Sequence, residues 1–190
     1  MSSLQEKQPI LCNGIDPSPD WNSEDLEALS KLESEVVSLL SHCLKWSRKV
    51  AIVSYRPHDY VVRRCRVYMR AVHYLIEVNG IEIISTENVK NGSSPVSWKR
   101  DIFRSIIKEN RLPMVPSKFM YVGFGENDRA AAWSLQDQDI PKNRMRVRLL
   151  PETTSIAELA NVVEELNSTY ADNMRSRFAV GDWRAPRTQE

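Results

Sequence analysis

Apolar side chains along residues 22–46 recur at steps of three and four: Leu26, Leu29, Leu32, Val36, Leu39 or Leu40, and Cys43. That spacing lays one stripe along a helix. Asn22 or Ser23 can cap its start, with Glu24, Asp25 and Glu27 at its positive end and Lys45, Arg48 and Lys49 at its negative end. Val37 and Leu44 widen the stripe, so the helix is expected to lie in the core or to be shared with a second subunit.

The pattern then turns to β-branched and alternating residues. Val50, Ile52 and Val53 predict a strand over 49–56, and Pro57-His58-Asp59 predicts a turn. Residues 60–78 and 81–86 read as two strands joined at Asn79-Gly80, a pair that accepts positive φ and favours a two-residue hairpin. The first of these runs is long for a strand, so a bend or bulge is expected near Arg70 and Ala71.

Ser94 and Pro95 predict the start of a second helix, with Trp98, Ile102, Phe103, Ile106 and Ile107 buried. Lys99, Arg100, Arg104 and Lys108 are expected largely on its solvent side. Residues 118–124 and 144–150 read as strands; within 125–138, residues 130–135 fit either a short strand or a helical turn. Ser155 and Glu158 match a capping box, opening a last helix on Ile156, Leu159, Val162 or Val163, Leu166 and Tyr170.

The expected fold is α+β, a mainly antiparallel sheet with a long N-terminal helix, a middle helix and a C-terminal helix. Residues 1–22 read as a disordered arm, because Asp16-Pro17-Ser18-Pro19-Asp20 blocks regular structure. Residues 23–180 form the single expected domain and 181–190 a polar tail.

Composition narrows the class. At 42% hydrophobic and 27% charged residues, the 190-residue chain can bury a core, yet it holds no apolar run of membrane-spanning length. Cys12, Cys43 and Cys65 are too few and too far apart for a disulfide framework, which fits a reducing compartment. Residues 1–20 lack the pattern of a secretory signal, so an intracellular location is expected.

The net charge of +1 hides a segregation. Residues 1–35 hold eight acids against two bases, and residues 45–111 hold fourteen bases against six acids. Residues 151–190 return to seven acids against four bases. A basic middle attracts polyanions, or it can be neutralised by the acidic ends of the same or a neighbouring molecule.

Strand alternation sharpens this. On a strand through 61–78, Cys65, Val67, Met69 and Ala71 would share one face, and Arg64, Arg66, Tyr68, Arg70 and Tyr74 the other. On the later strand, Met145, Val147 and Leu149 would oppose Arg144, Arg146 and Arg148. Joined in one sheet, these strands would present six arginines and two tyrosines to phosphates and bases.

Patterns that carry catalysis are weak. His42, His58 and His73 have no metal-ligand spacing with any cysteine, and Gly123-Phe124-Gly125 is a fragment of a glycine-rich loop that fits a turn or bulge better. Asp137 and Asp139 read as a solvated pair. No metal, cofactor or enzymatic activity is therefore expected. The expected function is a binding and assembly protein whose basic face engages RNA or an anionic membrane, of the kind a viral matrix protein represents, with self-association through the first helix and the arm. The alternative is a protein–protein adaptor without a nucleic-acid role.

Overall fold

Helix α1 spans Ser23–Trp46 and starts as its sequence requires. The Asn22 side chain accepts from the Asp25 amide at 2.9 Å, and the Asp25 carboxylate accepts from the Asn22 amide at 3.4 Å. The computed structural model describes residues 22–89, 94–110, 119–135, 145–151, 153 and 155–175. Of the expected arm over 1–22, Asn22 is described and caps α1, and residues 1–21 lie outside the described residues, as do the tail over 181–190, Asp137 and Asp139.

The order after α1 is β1 (Ala51–Ser54), α2 (His58–Tyr68), α3 (Arg70–Asn79), β2 (Glu82–Ser85), α4 (Pro95–Glu109), β3 (Phe119–Phe124), α5 (Glu126–Trp133), β4 (Met145–Leu150) and α6 (Ile156–Arg175). A 3₁₀ turn, Thr86–Val89, follows β2. Most of the described residues are therefore helical. Strand β1 pairs with β2 and β3 with β4, and both pairs are parallel. This overturns the mainly antiparallel α+β expectation: parallel neighbours need a crossover between them, not a tight hairpin.

The error lies in residues 60–78. Val61, Cys65, Met69, Val72 and Ile76 fit a helix, because their steps are three and four; the first three also fit a strand, because they are all odd-numbered. Packing decides. Met69, Val72 and Ile76 are buried beside Leu32, Leu159 and Val163. The expected bend is real, but it is the break between two helices at Met69, whose φ is −139° and ψ 65°. Glu33 of α1 caps the second of them by accepting from the Ala71 amide at 2.6 Å. Asn79-Gly80 closes α3 instead of a hairpin. Gly80 takes φ 60°, and the Ile81 amide donates to the Ile76 carbonyl at 3.0 Å.

Two apolar clusters form. The first joins Leu32, Met69, Val72, Ile76, Ile81, Ile83, Leu159, Ala160 and Val163. Within it α1 and α6 run in the same direction: Lys31 meets Asn161 and Glu164, Asn167 meets Glu35, and the rings of His42 and Tyr170 stack with centroids 6.2 Å apart. The second cluster joins Phe103, Ile107, Ala131, Ala132, Leu135 and Val147. Strand β1 lies between them, Ile52 packing on the first and Val53 on the second. Among the described residues no helix is long and apolar enough to cross a membrane.

Candidate functional site

The arginines expected on one sheet are divided among different elements. Arg64, Arg66 and Tyr68 lie on α2, and Arg70 and Tyr74 on α3. Arg64 is fixed by aromatic neighbours: its guanidinium carbon lies 5.1 Å from the Tyr60 ring centroid and 5.6 Å from that of Tyr68, and Nη1 donates to the Tyr68 hydroxyl at 3.2 Å. Arg56 covers Tyr60 at 5.6 Å. Arg66 and Arg70 are exposed.

On β4 the expectation fails differently. Arg148 is only 4% exposed, and its Nη2 sits 3.6 Å from a Glu165 carboxylate oxygen on α6. Burial pushes its pKa down, and Glu165 opposes that shift. Alternation along β4 does not turn Arg148 to water, because α6 covers it. Arg146 lies on β4, and Arg144 lies outside the described residues. A single cationic sheet face running across both segments is therefore excluded, since α2 and α3 are helices and Arg148 is buried.

The structure instead assembles a charged centre that sequence reasoning missed. Lys99, on α4, is 4% exposed, and its ammonium lies 2.6 Å from Oδ1 of Asp128, itself buried in the first turn of α5. The Tyr55 hydroxyl donates to the same oxygen at 3.0 Å, and the Tyr121 hydroxyl donates to Oδ2 at 2.5 Å. The Lys99 ammonium also stands 4.1 Å from the Tyr55 ring centroid, a cation–π distance. The ammonium thus lies between the carboxylate and the Tyr55 ring, and the carboxylate accepts from two phenols in the first turn of α5.

Each member is placed by its element. Tyr55 directly follows β1, and Tyr121 points from β3. Gly123 is two residues after Tyr121 and so on the same side of the strand; a β-carbon there would collide with the Tyr121 ring. The glycine lets that ring lie along the strand toward Asp128. Gly125, at φ 80°, then turns the chain from β3 into α5, and the space where its β-carbon would stand is open.

The centre thus sits at the carboxyl ends of β1 and β3. At the same end, the Ser54 hydroxyl oxygen accepts from the Arg56 amide at 3.0 Å. The corresponding Ser85 at the end of β2 accepts from the Glu87 amide at 3.1 Å. The signal for Lys99 and Asp128 was present in the sequence. Lys99 precedes Ile102 and Phe103 by three and four, and Asp128 precedes Ala131 and Ala132 by three and four, so each charge stands on an apolar stripe.

A cleft of about 510 Å³ lies among α2, α3 and β2, lined by Val62, Cys65, His73, Glu77 and Ile83 among others. His73 Nε2 is 3.5 Å from Glu77, and Lys49 and Glu82 pair at 2.8 Å beside it. Burial pushes the Cys65 thiol above its ordinary range, so it favours the protonated form there. Among the described residues no cluster of three or more metal-ligating side chains occurs. The chain matches no protein-family model, no curated protein and no solved structure.

Proposed function

We propose that the chain binds a small ligand carrying a phosphate or carboxylate group where the carboxyl ends of β1 and β3 converge. Lys99 supplies the fixed positive charge, and Asp128, Tyr55 and Tyr121 hold it in place. The observation that carries this reading is a desolvated ion pair reached by Tyr55, directly after β1, and by Tyr121 of β3, strands of two separate parallel pairs. In open α/β sheets, ligands enter the crevice outside the carboxyl ends of the strands. A buried ion pair adds little stability over apolar side chains of the same volume. Lys99, Tyr55 and Tyr121 converge on the Asp128 carboxylate from α4, from the residue after β1 and from β3, an arrangement better explained by holding the lysine at a fixed place than by stability. Ser54 and the open space beside Gly125 form the rim from which a ligand would approach.

Thermal unfolding with inorganic phosphate, a sugar phosphate, a nucleotide and a dicarboxylate tests this and separates the two anion classes. A ligand at 100 times its Kd adds about 2.7 kcal/mol to stability, which raises Tm by about 5–10 °C for a chain of this size. Lys99→Met is expected to abolish the shift, and Ser54→Ala to reduce it with the fold intact. No shift with any of the four anions overturns the proposal, as does a full shift in Lys99→Met. Should Lys99→Met fail to fold, Lys99→Arg, which keeps the charge but alters its geometry, must change the ligand's Kd.

A further inference from the structure

A second surface, separate from the Lys99 centre, carries exposed charge. Helix α2 turns Val61, Val62, Cys65 and Tyr68 toward the first apolar cluster. The opposite arc carries Arg63, Arg66 and Val67, all exposed, and Val67 is 51% exposed despite being apolar. Arg70 carries the charge across the Met69 break onto α3, where Tyr74, one turn further along, is 67% exposed. Among the described residues no carboxylate pairs with Arg63, Arg66 or Arg70. Asp59 is held by His58 at 3.0 Å, and Glu33, which reaches the Arg70 end, accepts from the Ala71 amide. Beside this arc the Arg56–Tyr60–Arg64–Tyr68 ladder is already ordered by stacking.

We propose that the outer face of α2 and the start of α3 dock single-stranded RNA, with Arg63, Arg66 and Arg70 on phosphates and Tyr74 under a base. Unpaired guanidinium forks suit phosphate oxygens. Exposed aromatic rings beside a basic track are what single strands stack on. A membrane-binding helix would turn large apolar residues outward. Here the apolar side of α2 is spent on the core, and besides Tyr74 the exposed large apolar residues of α2 and α3 are two valines, Val67 and Val78, each next to a charged residue. An acidic protein partner would be held by the charge, whereas a nucleotide base can in addition stack on the exposed Tyr74 ring.

The test is fluorescence anisotropy of a labelled RNA of about 12 nucleotides, a length within the usual single-strand site range, titrated with the full chain. Saturable binding at low salt, falling steeply as salt rises, is expected. Arg63→Gln/Arg66→Gln/Arg70→Gln should weaken it at least about tenfold and lower the slope of log affinity against log salt by about 2, since each single-strand phosphate contact contributes about 0.7. Tyr74→Ala should weaken it by about tenfold through lost stacking. All four side chains are exposed, so Tm should hold. Absence of binding at low salt overturns the proposal, as does an unchanged affinity and salt slope in the triple variant. Binding to phosphatidylserine vesicles without binding to RNA would assign the face to a membrane instead. Equal competition by polyglutamate, with no effect of Tyr74→Ala, would assign it to an acidic protein.

Discussion

Around Leu32, Val72, Ile76 and Leu159 the molecule keeps its charges at the rim, whereas beside Phe103, Ile107 and Leu135 it holds a lysine and an aspartate inside. The first region is a conventional helical core with ion pairs on its border, such as Lys31–Glu164 at 2.8 Å, where both side chains are substantially exposed. Pairs of that kind contribute about 0–1 kcal/mol. The second region is smaller and more aromatic, Phe103 packing edge-on to Phe119 and tilted against Tyr121. It gives up apolar volume to Lys99 and Asp128. The same type of ion pair therefore does different things in the two places. At the rim it decorates a helix interface, and inside it fixes a charge at the strand ends and ties β1, through Tyr55, to α4, α5 and β3.

That contrast breaks most readily at Asp128. Asp128→Ala leaves the Lys99 ammonium buried without its carboxylate and is expected to cost about 3–5 kcal/mol in urea unfolding. Lys99→Met/Asp128→Leu should recover most of that stability while losing anion binding, which would separate the structural from the functional role. If Asp128→Ala costs no more than a surface pair, the interior charge has no special standing.

A second difference is alkaline sensitivity. Burial pushes the Cys43 and Cys65 thiols up from the ordinary value of 9.0, and desolvation raises the Tyr170 phenol as well. All three belong to the helical region. An acid whose folded pKa is raised gives stability that is complete below its unfolded pKa and is lost as pH climbs toward the folded value. Urea midpoints should therefore fall above about pH 9, and Cys43→Ala with Cys65→Ala should flatten that fall. A midpoint unchanged between pH 8 and pH 10 would refute the assignment. The smallest effect is expected at the rim, where Lys31→Ala should cost about 0.5 kcal/mol or less; a loss comparable with Asp128→Ala would erase the distinction between the two regions.

Much of the fold was legible where one local cause is enough. Asn22 and Asp25 start α1, Ser94 with Pro95 starts α4, and the Glu158 amide donates to the Ser155 hydroxyl oxygen at 3.1 Å at the entry to α6. Strands β1, β3 and β4 fall within the stretches their β-branched and alternating residues mark. Lys99 and Asp128 were visible only as charges on apolar stripes. That pattern says each must find a partner and does not say which.

Local chemistry by itself determined the helix starts, the need for positive φ at Gly80, the break near residue 70 and the basic character of the middle of the chain. Tertiary structure decided what each feature became. Residues 61–69 satisfied both periodicities until α1, β2 and α6 offered a helical face something to pack on. Gly80 ended a helix because the next strand runs parallel to β1, not back along its neighbour. Arg148 was buried because α6 lies over it. Lys99, Asp128, Tyr55 and Tyr121 met because the chain brings together positions up to 73 residues apart, a convergence set by packing that no local spacing encodes.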